Sequence, residues 1–258
     1  MSDLIRETIE GTTLTLSLQF NPENAVTEEA MHALLDVLQK YRDSSVRTIL
    51  LTSTRPGFFS NGFDPALWLD RDEKFLKRTA ATVNAILEIF FFYPIPVIAV
   101  INGHCMAVAT FFAAFSDYRY MIDGHGYRIG LPEARVGAFI PSFPFFYLKE
   151  LIGINHATDM VYQARLLKPV EARDIGLINE IFDSDEAAFA RANRMAKRIA
   201  GLPIEGTRAL KQCTRETYRP LFEAVRSFDE EIIVGLAQTP NTQEGFRSIL
   251  EKRRPVFQ

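Results

Sequence analysis

Between residues 13 and 19, apolar and polar side chains alternate strictly (Thr-Leu-Thr-Leu-Ser-Leu-Gln), the period of a strand with one buried face. After the turn chemistry of Asn21-Pro22-Glu23-Asn24 the period lengthens. Met31, Leu34, Leu35 and Leu38 recur at helical spacing within Glu28–Tyr41. Residues 46–53 predict a second strand centred on Ile49-Leu50-Leu51, broken by Thr54-Arg55-Pro56-Gly57. Residues 72–91 predict a long helix ended at Tyr93-Pro94. Residues 96–101 are continuously apolar, as in a strand covered by helices on both faces. Asn102-Gly103 is expected to turn the chain. Residues 107–115 are apolar nearly all round and predict a fully buried helix. Short strands are expected at 117–121 and 127–129.

Beyond Pro144 the pattern becomes helix upon helix: 145–152, 156–164, 170–175, Asp185–Ala200, 204–217, 221–234 and 242–252, with one brief strand at 178–181. Strand–helix units followed by a helical tail predict an α/β fold, a parallel-rich sheet core with a C-terminal helical layer. The apolar stripes of the late helices are wider than one chain needs, which predicts an oligomer.

At 258 residues, 47% hydrophobic and 24% charged, the chain has the balance of a soluble globular protein with one large core. A net charge of -3 without a basic stripe argues against a nucleic-acid partner. Cys105 and Cys213 are far apart and in no pairing motif, so both are expected to stay reduced in a cytoplasmic-type compartment. The opening Met-Ser-Asp-Leu-Ile-Arg-Glu has no secretory or transit pattern, and the ending Pro-Val-Phe-Gln is not a Ser-Lys-Leu address. No apolar run reaches the roughly 18 residues of a membrane span. The richest stretch, 86–100, is interrupted by Pro94 and Pro96. The expectation is a cytoplasmic protein with no membrane partner.

Two segments have the composition to present free backbone N–H groups. Phe58-Phe59-Ser60-Asn61-Gly62-Phe63-Asp64 follows one predicted strand, and residues 103–108 follow the next. Each is a glycine-containing passage towards a helix, whose first amides lack intrahelical acceptors. Two such loops can aim two N–H groups at one oxygen, as an oxyanion hole does. Spacing alone equally fits loops that only turn the chain. His32 and His156 fall in helical patterns, and His104 and His125 in or near turns, none at metal-ligand spacing. No Gly-x-Ser-x-Gly elbow, phosphate loop or paired-cysteine motif occurs. Asp64 is expected to cap the following helix, and Asp117 and Arg119 to form a structural pair.

Asn102-Gly103-His104-Cys105-Met106-Ala107-Val108-Ala109, Asp117-Tyr118-Arg119 and Ile129-Gly130-Leu131-Pro132-Glu133-Ala134-Arg135-Val136-Gly137 together resemble the crotonase (enoyl-CoA hydratase/isomerase) superfamily. The 59–64 loop, Val170-Glu171-Ala172-Arg173-Asp174-Ile175-Gly176-Leu177-Ile178 and the 244–253 ending extend the resemblance over nearly the whole chain. It implies a spiral of ββα units, here a core over 1–195 carrying the active site, and a C-terminal helical trimerisation region over 196–258. It implies a homotrimer or a dimer of trimers acting on an acyl-CoA thioester. The thioester carbonyl would be held by the amides of Phe63 and Val108. Coenzyme A, entering as part of the substrate, would lie along Ser60, Asn61, Gly62 and Asp64, with Lys252 near its 3′-phosphate. No metal and no separate cofactor is implied.

The two glutamates of a hydratase align with Phe111 and Glu133, so the first acid is missing. Hydration requires a water held between two carboxylates; shifting a double bond requires one base that removes a proton and returns it. Members of the family that are Δ3,Δ2-enoyl-CoA isomerases resemble this chain in having an apolar residue at the first position and keeping the later acid. They also often lose the glycine-rich turn, as Ile140-Pro141-Ser142-Phe143-Pro144 has done. The expectation is an isomerase converting 3-enoyl-CoA to 2-trans-enoyl-CoA in fatty-acid breakdown. Glu133 is the proton shuttle, and Phe111, Phe139 and Phe143, with Phe112, Phe145 and Phe146, form a dry acyl pocket. Burial there is expected to raise the Glu133 pKa. The alternatives are a hydratase recruiting an acid such as Asp70 or Glu73, and a non-catalytic acyl-CoA-binding homologue. The chain departs from the family at Ala107-Val108-Ala109, where glycines are usual. It departs again at Pro65-Ala66-Leu67-Trp68, which lacks the lysine often found there.

Overall fold

The computed structural model describes residues 3–124 and 126–258, so Met1, Ser2 and His125 lie outside it. Among the described residues, ten strands form two sheets. The first contains β1 (Ile5–Glu10), β2 (Thr13–Leu18), β3 (Thr48–Ser53), β5 (Val97–Ile101), β7 (Tyr118–Ile122) and β10 (Glu180–Phe182), in the order β1-β2-β3-β5-β7-β10. β1 and β2 are antiparallel and the rest are parallel. The second sheet contains β4 (Gly57–Ser60), β6 (Gly103–Met106), β8 (Ile129–Gly130) and β9 (Leu166–Leu167), in that order. β3, β5 and β7 each run on into a strand of this second sheet, and each such pair leads into helix. This is the repeated ββα unit.

β5 shows why its residues are apolar throughout. Val97, Ala99 and Ile101 face the main core, while Ile98 and Val100 face Ala188, Ala192 and Ala196 of α7 (Asp185–Ala200). Alternation by two thus buries both faces. The other helices are α1 (Glu28–Tyr41), α2 (Glu73–Phe91), α3 (Val108–Phe115), α4 (Ser142–Ile152), α5 (Ile154–Tyr162), α6 (Pro169–Asp174), α8 (Ile204–Glu216), α9 (Arg219–Ala237) and α10 (Pro240–Leu250). Thr27, Asp72 and Ser184 cap α1, α2 and α7 by accepting from backbone amides in the first turn. No helix among the described residues is long and apolar enough to cross a membrane.

Several expectations change. Asn102-Gly103 does not reverse the chain: Gly103 opens β6, where any Cβ would overlap the backbone of Phe58 on β4. Residues 57–60, expected as loop, are β4. β1 has no apolar alternation because it is a largely exposed edge strand. A boundary after residue 195 falls inside α7. α4 starts earlier than the expected 145 because Asp229, reaching across from α9, accepts from the Ser142 amide at 2.8 Å and its hydroxyl at 2.6 Å.

Asp117 and Arg119 do not pair. Arg119 donates to the carbonyls of Ser116 and Leu177, and Asp117 instead anchors the C-terminal layer. Lys211 Nζ on α8 lies 2.7 Å from Asp117 Oδ2 and 2.8 Å from the Ile95 carbonyl. Arg215 Nη2 donates to the Phe115 carbonyl at 3.0 Å and to Asp117 Oδ1 at 3.4 Å. Burial pushes the Asp117 pKa up, but Lys211 and Arg215 outweigh it and hold the carboxyl below its usual value. Its stabilising contribution is therefore present above about pH 3.9 and is lost as pH falls through the depressed value. Lys211→Ala removes one partner of a buried pair and is expected to cost about 3–5 kcal/mol in urea-induced unfolding at pH 7.

Candidate active site

Three strand-to-helix passages converge on one cavity of about 320 Å³. The first is the segment after β4. Val26 forms a parallel bridge with Phe63, its amide donating to the Gly62 carbonyl at 2.7 Å and its carbonyl accepting from the Asp64 amide at 3.0 Å. A parallel bridge that engages the residues on either side turns the amide of the central residue, Phe63, the other way. Phe63 lines the cavity.

The second passage follows β6. Val108 is the first residue of α3, so its N–H has no intrahelical acceptor, and Val108 also lines the cavity. The backbone strain at this turn is not at Val108 but one residue earlier. Ala107 has φ 54° and ψ -128°, a conformation that side chains rarely adopt.

The third passage carries Glu133, the first residue of a 3-10 turn (Glu133–Val136) that follows β8. The residue as a whole is partly exposed, but its Oε2 is out of solvent contact and has no hydrogen-bond partner. Burial pushes its pKa up to about 8. Among the described residues that line the cavity, Glu133 is the one carboxylate. Asp70 and Glu73 do not line it: Asp70 is 69% exposed beside Arg247, and Glu73 is 60% exposed beside Lys77.

Phe111 and Phe139 line the cavity wall. Phe143 does not. It is 1% exposed and packs edge-on against Phe91 and Phe222, with ring centroids 4.7 and 5.1 Å away, because the early start of α4 turns it into the core. Phe112 likewise stacks on Phe90 in the core. Of the expected coenzyme A residues, Asn61 lines the cavity. Ser60 is fully buried and shapes the loop, its hydroxyl donating to the Asn24 carbonyl and accepting from the Gly62 amide. Asp64 caps a 3-10 turn (Pro65–Leu67) by accepting from the Ala66 amide at 2.9 Å. Gly62 takes φ 86°. Lys252 is exposed beyond α10 and lies off the cavity lining. His104 Nδ1 accepts from the Arg128 amide, also off the cavity. No cluster of three metal-ligating side chains occurs among the described residues.

Much of the wall comes from helices that sequence reasoning assigned no chemistry: Val83 and Leu87 of α2, Ile233 and Leu236 of α9, and Phe246 and Ile249 of α10. Their spacing is that of any amphipathic helix, so no local signal separates them from ordinary core. α10 also fastens the two loops together. Thr242 Oγ1 donates to the Gly137 carbonyl at 2.8 Å, Gln243 Nε2 donates to the Trp68 carbonyl at 2.9 Å, and Arg247 pairs with Asp70. At Gly245 a Cβ would overlap the Val136 backbone, so this helix rests directly on the Glu133 turn.

The profile of the family described as Enoyl-CoA hydratase/isomerase matches residues 9–258. The chain is 27% identical over 236 residues to enoyl-CoA delta isomerase 1, mitochondrial, of Rattus norvegicus, covering 90% of this chain and 80% of that protein. It is 26% identical over 244 residues to 2,3-dehydroadipyl-CoA hydratase of Escherichia coli (strain K12), covering 91% and 90%. The fold superposes on the crystal structure of human mitochondrial delta3-delta2-enoyl-CoA isomerase with a TM-score of 0.91. Sequence identity there is 22%, with 97% of this chain and 98% of that one covered.

The raised pKa makes the Glu133 site a stability probe. With the folded value at about 8 and the unfolded value near 4.3, the protonated form belongs to the folded state. Its contribution is complete below about pH 4.3 and is lost as pH rises through about 8. Glu133→Gln cannot ionise. It is expected to gain on the order of 4 kcal/mol on the wild type between pH 5 and pH 8.5, read from urea midpoints across that range.

Proposed function

Since the chain belongs to the enoyl-CoA hydratase/isomerase family, we propose that it is a Δ3,Δ2-enoyl-CoA isomerase acting through one acid. The observation that carries this reading is the cavity lining: Glu133 is its one carboxylate among the described residues, and Phe111, which the resemblance aligns with a hydratase's other glutamate, lines it as well. The thioester carbonyl of a 3-enoyl-CoA accepts from the Phe63 and Val108 amides. Ionised Glu133 removes a proton from C2, and the electron pair delocalises onto the carbonyl oxygen, where the two amides stabilise it. The protonated Glu133 then delivers that proton to C4. The C3=C4 bond becomes C2=C3, and the base is regenerated. Apolar walls favour this proton transfer over water addition, because they offer no second acid to hold and activate a water.

A pKa raised to about 8 supports the shuttle, since a base poised near operating pH both takes and returns a proton readily. Coenzyme A enters as part of the substrate, with Asn61 at the cavity and Lys252 as its outlying cation. The protein is read as a cytoplasmic enzyme of fatty-acid breakdown. Exposed Leu210 on α8 and Phe228 on α9 support self-association through the C-terminal layer, as a homotrimer or a dimer of trimers.

Glu133→Gln is expected to bind acyl-CoA as the wild type does while losing about 10²–10⁴-fold in 3-enoyl-CoA isomerisation. Wild-type kcat/KM is expected to rise with pH and level off above about 8, because the base works ionised. Crotonyl-CoA hydration is expected to be weak at most. Rapid hydration would return the reading to a hydratase. Absence of α-proton exchange in D₂O would leave a binding protein without chemistry.

A further inference from the structure

Ala107 is the point where the three passages meet. Its amide donates to the Gly130 carbonyl at 2.9 Å, tying it to the strand that delivers Glu133. Its own peptide unit carries the Val108 N–H. Its methyl group lies against Gly62, the residue before Phe63: a Cβ built on Gly62 would come within 2.6 Å of the Ala107 Cβ. The one side-chain atom of Ala107 therefore stands between the segments that supply the two amides, and Ala107 and Val108 both line the cavity.

That methyl is held at a cost. At φ 54° and ψ -128° glycine would sit without strain, whereas an alanine there is destabilising. Gly62 opposite, at φ 86°, leaves the gap that the methyl fills. Next along the wall comes the β-branched side chain of Val108, stiff at χ1 and 4% exposed. Ala107 and Val108 line the cavity together with Phe63, so a carbonyl held by the Phe63 and Val108 amides would set its neighbouring carbon beside this stretch of wall.

We infer that the Ala107 methyl, backed by Val108, is a gauge that admits acyl thioesters unsubstituted at the carbon next to the carbonyl and rejects those branched there. The inference rests on the isomerase reading for the position of the carbonyl. It goes beyond that reading in naming the substrate class. A 2-methyl-3-enoyl thioester still carries one proton on C2, so the proton transfer remains available to it and the rejection is steric.

The test compares a straight 3-enoyl-CoA with its 2-methyl analogue in the wild type, Ala107→Gly and Ala107→Ser. The readout is the ratio of kcat/KM values within each protein, which does not depend on how active each variant is. The wild type is expected to favour the straight substrate by about 50-fold, within the range a single carbon contributes in a tight pocket. Ala107→Gly is expected to lower that ratio at least about fivefold, with a Tm no lower than the wild type, while Ala107→Ser keeps the ratio. A smaller change in Ala107→Gly, or failure of that variant to fold, overturns the gauge. Should the wild type isomerise neither substrate and exchange no α-proton, the proposed function falls. The same ratio, taken from dissociation constants of butanoyl-CoA and 2-methylbutanoyl-CoA, then decides the gauge on the same terms.

Discussion

A carboxylate oxygen cut off from water and from every hydrogen-bond donor is costly, and Glu133 Oε2 is such an atom. Most of the surrounding structure holds it there. β8 is fixed between β6 and β9. The turn is closed by the Ala138 amide donating to the Glu133 carbonyl, and α10 rests on Val136 and Gly137. Each contact removes a way for the acid to swing out to solvent. Released from these contacts, the side chain would recover water and its ordinary pKa.

The molecule divides the work between its two sheets and its helices. The central strands of the first sheet are buried by layers on both faces and give rigidity. The second, built of very short strands, is a frame of close backbone approaches that brings three chain passages to one point. Backbone amides serve well here because their direction is fixed by strand and helix geometry and needs no side chain to be ordered. The C-terminal layer closes the cavity with apolar side chains. It is held to the core by the buried Lys211–Asp117–Arg215 cluster on one side and by α10 on the other. Fold stability and a water-poor site thus share the same contacts.

Long periodic elements were legible from the chain. Glu28–Tyr41 and Asp185–Ala200 have the bounds their spacing predicts, since an amphipathic stripe between a capping residue and a break is a local property. The short strands were legible only in part: those expected at 117–121, 127–129 and 178–181 overlap β7, β8 and β10, whereas β4 was expected as loop. β4 and β8 owe their existence to pairing partners far along the chain, and β1 to one edge contact. Phe143 illustrates the limit for side chains. Composition marks it as apolar, but whether it lines a cavity or fills a core depends on where α4 begins. That is set by Asp229 from a helix nearly ninety residues later, a separation of 87 in sequence.

The sequence by itself determined the family and the α/β plan, because these rest on residue identities in order. Tertiary structure decided what Glu133 experiences. Its raised pKa comes from burial that the assembled fold imposes on it, with α10 resting on its turn, and at Ala107 two loops meet across the gap beside Gly62. Neither effect exists until distant segments come together, because desolvation and steric contact depend on distance in space and not on position along the chain.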